Sequence, residues 1–137
     1  MIRGFTCGAF DLLHPGHIYL LQAASELCDQ LWVGLHTDPT IDRPEKNKPI
    51  QTTFERHSQL AAVKFVHGVI PYDTENDLRN ILATCAFNVR FIGSDYISKQ
   101  ITGEDICSAR GIKIVYIDRF HDWSSSSLRE RIENAKG

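Results

Sequence analysis

Residues 8–17 read Gly-Ala-Phe-Asp-Leu-Leu-His-Pro-Gly-His, a run that holds the residue types best suited to chemistry on a phosphate. His14 and His17 stand three apart at the entrance of a helical pattern, so their imidazoles face the same way. Gly8 is expected to take a positive φ in the turn, and Gly16, without a Cβ, to let a bulky ligand approach the backbone. A helix start offers unpaired N–H groups and the positive end of its dipole to an anion. Imidazoles held protonated there by a polyanion could donate to oxygens that gain charge in a transition state. The chemistry this implies is binding of a nucleoside triphosphate and transfer of part of it. Two blander uses of the histidine pair stay open at this point: a helix cap, or half of a metal site. A stable metal site needs three or four ligands, and none is suggested nearby.

Other chemistries lose their supports. There is no G-x-x-x-x-G-K-[ST] run and no G-x-G-x-x-G, which argues against P-loop hydrolysis and dinucleotide-dependent redox chemistry. Cys7, Cys28, Cys85 and Cys107 are far apart, with no C-x-x-C pair, and read as reduced thiols of an intracellular protein. The 137 residues carry 15 Lys and Arg against 17 Asp and Glu, a net charge of −2, with 42% hydrophobic residues. That describes one domain over residues 1–137 and argues against a nucleic-acid partner or a membrane-adhering basic surface. No signal-like apolar block follows the first residues and no window of 18 apolar residues exists, so a cytoplasmic location without membrane insertion is expected.

Strand-like and helix-like segments alternate along the chain. Strands are expected over residues 2–7, 31–35, 68–71, 89–92 and 113–117. Helices are expected over 17–28, from the Thr52/Glu55 capping box to about 66, after Thr74 to about 84, and over 102–110 and 125–134. Gly111 stands where a left-handed C-cap would stop the fourth helix. This alternation predicts an α/β fold with a doubly wound, parallel five-stranded sheet, whose ligands sit beyond the carboxyl ends of the strands.

Gly8, Phe10, Asp11, His14, Gly16 and His17 together resemble the H-x-G-H signature of the nucleotidyltransferases, in particular the small cytidylyltransferases. The likeness extends over nearly the whole chain, through the run 20–24, the Phe54-Glu55-Arg56 segment, Val69-Ile70-Pro71 and Gly93-Ser94-Asp95. A second family signature, an arginine ahead of a Ser/Thr-rich helix start, is similar to Arg119 followed by Trp123, Ser124, Ser125 and Ser126. Between them Phe120, His121 and Asp122 replace the Thr-Glu-Gly typical of cytidylyltransferases, and the departure bears on the choice of base. The resemblance implies a Rossmann-like fold, a homodimer, and CMP transfer from CTP with Mg²⁺ to a small phosphorylated alcohol, foremost glycerol 3-phosphate.

It also implies roles, with His14 and His17 as the catalytic pair. Gly8, Ala9, Phe10, Asp11, Gly16, Lys46, Gly93, Asp95, Arg119, Ser124, Ser125 and Ser126 would surround the nucleotide, and Lys48 and Arg56 the acceptor phosphate. Lys46 and Lys48 could exchange places, and Arg56 could instead form a surface ion pair with Glu55 or Glu45. Asp11 could orient a histidine or hold Mg²⁺ through water. His121 is the only other histidine near the expected site. The rivals are an ATP-dependent adenylyltransferase acting on a flavin or sugar phosphate, and a nucleotide-binding module without turnover.

Overall fold

Five strands pair in parallel in the order β3-β2-β1-β4-β5: β1 (Arg3–Gly8), β2 (Gln30–His36), β3 (Gly68–Tyr72), β4 (Val89–Gly93) and β5 (Lys113–Ile117). The structure is a computed structural model and describes residues 1–119 and 121–135. Helices α1 (Pro15–Ser25), α2 (Thr53–Ala61), α3 (Glu75–Thr84), α4 (Glu104–Arg110) and α5 (Ser125–Asn134) connect or follow the strands. The alternation read from the sequence is therefore a Rossmann-like α/β sheet. Its strand order reverses at β1, which opens a crevice at the carboxyl ends of β1 and β4. No helix among the described residues is long and apolar enough to cross a membrane.

Each face of the sheet is covered by its own apolar layer. Leu31, Val33 and Leu35 of β2 and Phe91 of β4 pack with Leu21 and Ala24 of α1 and Leu60 of α2. On the other face Phe5 and Tyr72 pack with Leu78 and Leu82 of α3 and Cys107 of α4. Burial on both faces is what the near-continuous apolar strands require.

Helix boundaries moved for local reasons. α1 starts two residues before the expected 17, because His14 is its N-cap and Pro15 fits the first helical position, where no N–H is needed. α2 stops at Ala61 rather than near 66: Val63, Phe65 and Val66 turn inward onto the core through successive tight turns. The Thr52/Glu55 capping box forms as read, and a second one, Thr74 with Asp77, opens α3. α4 starts at Glu104, since Gly103 has φ +80, and Gly111 ends it at φ +70 in the expected left-handed cap.

Arg56 corrects one expectation directly. Its side chain is 2% exposed and all three guanidinium nitrogens donate inward. Nε bonds the Gln51 carbonyl, Nη1 those of Ala9 and His36, and Nη2 that of Thr37 and the Thr53 hydroxyl. The fork that would clamp an acceptor phosphate instead joins the loops after β1 and β2 to the start of α2, and neither Glu55 nor Glu45 pairs with it. Removing it strands several buried carbonyls. Arg56→Leu is expected to lower unfolding stability by at least about 3 kcal/mol in urea titration.

Candidate active site

The turn after β1 sets the geometry. Positive φ falls on Phe10 (φ 49) and Leu12 (φ 52), not on Gly8 as expected. Such conformations are uncommon for residues with a Cβ and persist only where surroundings impose them. Here Phe10 is buried in the core, and the Leu12 N–H donates to Gln51 Oε1 at 2.8 Å. Between them Asp11, 4% exposed, accepts from Ile50 N (2.8 Å), Gln51 N (2.9 Å) and Arg129 Nη2 (2.7 Å). Burial alone would raise its pKa, but the Gln51 and Ile50 donors and the Arg129 guanidinium outweigh that and hold the carboxyl below its ordinary value.

The two histidines cap the helix they begin. His14 Nδ1 accepts from Gly16 N at 3.0 Å, and His17 Nδ1 accepts from His14 N at 3.2 Å. Their rings stack with centroids 3.8 Å apart and planes 25° from parallel. An imidazole whose Nδ1 accepts a backbone hydrogen carries its own proton on Nε2, so each ring is a neutral donor. The charges point the same way. Burial, then the neighbouring His14, and also His121, drive the His17 pKa down to about 3, with Asp11 opposing. Burial, then His121 and Arg119, lower that of His14. Within this fold both rings are neutral Nε2–H donors, and the cap reading and the chemical reading describe the same atoms.

These rings line a cavity of about 600 Å³ over the carboxyl ends of the strands, within the range of small-molecule sites. Gly8, Ala9, Gly16, Lys46, Gly93, Asp95, Arg119, Ser124, Ser125 and Ser126 line it too. Phe10, Asp11, Lys48 and Arg56 do not: the first two and Arg56 are built into the frame, and of the two lysines Lys46 reaches the cavity. Ser124 caps α5 by accepting from Ser127 N, and Ser125 Oγ donates to the Asp11 carbonyl at 2.6 Å, so these hydroxyls build the start of α5 where it lines the cavity. Arg119 donates to the Trp123 carbonyl at 2.7 Å and lies 3.9 Å from the Asp95 carboxylate.

Many lining residues carry no assignment from sequence, Arg129 and Arg43 among them, and His121 is noted there only as lying near the expected site. Arg129 lies four residues after Ser125 on the same face of α5, a spacing that could have flagged it. Arg43, paired with Glu75 at 3.3 Å, sits in the loop after β2 with no signal of its own. His121 packs over Gly16, where a Cβ would come within 2.6 Å of its Cε1 and 2.8 Å of His14 Cε1. The glycine therefore makes room for two imidazoles rather than directly for a ligand. Phe120 lies outside the described residues. Among the described residues no group of three His, Cys, Asp or Glu side chains gathers to hold a metal.

A switch-point crevice with an imidazole-capped helix and cations along its rim is arranged to receive an anionic ligand. The family model described as Cytidylyltransferase-like matches residues 5–131, and the chain belongs to that family of nucleotidyltransferases. It is 37% identical over 133 residues to the bifunctional protein HldE of Nitrobacter winogradskyi, covering 96% of this chain and 27% of that protein. It is 38% identical to HldE of Hyphomonas neptunium over 97% of this chain and 27% of that one. The chain thus spans about a quarter of the length of these relatives. Among solved structures, the lipopolysaccharide core biosynthesis protein of Thermoplasma volcanium aligns with TM-score 0.74 and 29% identity, over 88% of this chain and 99% of that one.

The depressed His17 pKa makes stability depend on pH with a definite sign. Below its ordinary value near 6.5 the unfolded chain takes up a proton that the folded ring refuses until about pH 3. The stabilisation is full above 6.5 and is lost on acidification through that window. His17→Gln keeps an acceptor for His14 N–H and cannot titrate; the slope of unfolding free energy against pH between 6 and 4 should fall by up to about 1.4 kcal/mol per pH unit. An unchanged slope would mean that His17 is already charged in the folded protein.

Proposed function

We propose that this chain transfers a nucleoside monophosphate from a nucleoside triphosphate to the phosphate of a small sugar or polyol, releasing pyrophosphate. The observation that carries the reading is the pair of Nε2–H donors at the mouth of β1, facing a cavity that Arg43, Lys46, Arg119 and Arg129 also line. A phosphate monoester is largely dianionic near pH 7, so its oxygen can attack the α-phosphorus in line without a strong general base. Catalysis then rests on positioning and on donors aimed at oxygens that gain charge. Neutral imidazoles serve this because they stay donors across the physiological range and release no proton they later need back.

The resemblance to small cytidylyltransferases names CTP and glycerol 3-phosphate. A second reading, ATP with a sugar phosphate, has two supports: the replacement of Thr-Glu-Gly by residues 120–122, and the likeness to the lipopolysaccharide core biosynthesis protein of Thermoplasma volcanium, whose name points to a carbohydrate acceptor. We take ATP and a sugar phosphate as the first pair to test and CTP with glycerol 3-phosphate as the alternative. Mg²⁺ would arrive on the triphosphate and supply charge neutralisation there; Asp11, whose oxygens are all engaged by Ile50, Gln51 and Arg129, is not free to hold it. A homodimer belongs to the same reading, supported by the exposed Phe54 (79%) and Ile50 (59%) around the start of α2.

Pyrophosphate release should be measured with Mg²⁺ and each of ATP, CTP, GTP and UTP, with no acceptor, glycerol 3-phosphate or a sugar 1-phosphate. Acceptor-dependent release with one nucleotide is expected, and His14→Ala or His17→Ala should lower that turnover about a hundredfold. A loss under threefold in either variant removes the role given to that histidine. Nucleotide binding without release from any pair would leave a binding module.

A further inference from the structure

The cavity continues past the strand ends to the face of the sheet opposite α1. There Cys7 of β1, His36 of β2, Tyr72 of β3 and Arg90 of β4 line it together, over the layer built by α3 and α4. Arg90 is 4% exposed. Its Nη1 donates to the Thr102 carbonyl and its Nη2 lies 3.8 Å from Cys7 Sγ, a weak acceptor, while Nε has no partner among the described residues. No carboxylate among the described residues forms an ion pair with it. His36, 6% exposed, stacks on the Tyr72 ring at 4.6 Å and leaves Nε2 equally unpaired.

Arg56 supplies the internal comparison. It is as deeply buried, yet every guanidinium nitrogen meets oxygen, and it serves the frame. Arg90 stands on a strand between Val89 and Phe91, where an apolar side chain would complete the layer at no electrostatic cost. An arginine stays protonated when buried, so its charge calls for an anion that the fold does not provide. A hydroxyl-bearing ligand would satisfy the hydrogen bonds and leave the charge uncompensated.

We propose that this recess binds a second anionic group of the phosphorylated acceptor, a carboxylate or a phosphate, with Arg90 as its counter-ion and His36 and Tyr72 as its walls. The inference rests on the nucleotidyltransferase reading: the attacking phosphate lies on the α1 side with His14 and His17, and the acceptor reaches over the end of β1. It narrows the substrate class from sugar or polyol phosphates to those carrying a further negative charge.

Three acceptors on one carbon skeleton test it: glucose 1-phosphate, glucuronic acid 1-phosphate and glucose 1,6-bisphosphate. With the productive nucleotide, kcat/KM for the carboxylate or the bisphosphate compound is expected to exceed that for glucose 1-phosphate at least tenfold, and which of the two leads identifies the anion. Arg90→Met should abolish that ratio. Arg90→Lys, which keeps charge without the fork, should reduce it at least threefold and decides the matter if the Met variant does not fold. In parallel, thermal unfolding is followed with each compound in the absence of nucleotide. There the doubly anionic compounds should stabilise the parent protein more than glucose 1-phosphate does, and Arg90→Lys should lose most of the difference. Failure of turnover with every nucleotide would overturn the enzymatic reading while leaving this binding measurement to judge the recess. Equal kcat/KM values, or equal stabilisation by all three compounds where none turns over, would overturn the second-anion subsite and leave the transferase reading intact.

Discussion

A single buried carboxylate holds three distant stretches of this chain in register. Asp11 accepts from the backbone of residues 50 and 51 and from Arg129 of α5, while its carbonyl accepts from Ser125. The strained turn at Phe10 and Leu12 is affordable only because the Asp11 carboxylate and the core around Phe10 leave it no alternative. Arg56 does the complementary work from the other side, gathering carbonyls from residues 9, 36, 37 and 51. One anion collects N–H groups and one cation collects carbonyls, and between them the rim of the cavity becomes a fixed object although it is made largely of loops.

On that frame the helix cap and the chemistry become inseparable. Protonating His14 or His17 at Nδ1 would remove an acceptor from a backbone N–H at the start of α1. The fold therefore selects the tautomer, which leaves Nε2–H as the group each ring offers to the cavity. Positive charge comes instead from arginines and a lysine on separate elements, Arg43 and Lys46 after β2, Arg119 after β5 and Arg129 on α5. Uncharged donors close in and cations around them make a lining complementary to an anion.

Much of this was legible from residues alone, because alternation, capping boxes and the H-x-G-H spacing are local signals. Thr52 with Glu55, and Gly111 as a left-handed cap, needed only their neighbours to be read. What sequence could not tell was where a charge points. Arg56 has the same letter whether it faces phosphate or carbonyls, and burial, visible only in three dimensions, decides for carbonyls. Asp11 reads from its neighbours as a holder of Mg²⁺ or an orienter of a histidine, because acidic residues beside a phosphate site usually invite that reading, yet its partners come from 39 to 118 positions away. Arg90 went unremarked in a short apolar strand, since nothing local distinguishes a strand cation with a partner from one without. Glycine misled in the opposite sense: the positive φ fell on Phe10 and Leu12, where tertiary packing overrides intrinsic preference.

The strand order carries a consequence for how the molecule assembles. β1 is the first strand in the chain and lies at the centre of the sheet, flanked by β2 from residue 30 onward and by β4 only from residue 89. During synthesis one edge of β1 is covered early, while the other stays an open ladder until some eighty further residues have appeared. Its second partner arrives by closing a long loop, which makes that pairing the slow, non-local step of folding. Until then the half-sheet of β1, β2 and β3 exposes an unpaired parallel edge, the kind of surface on which nascent chains associate.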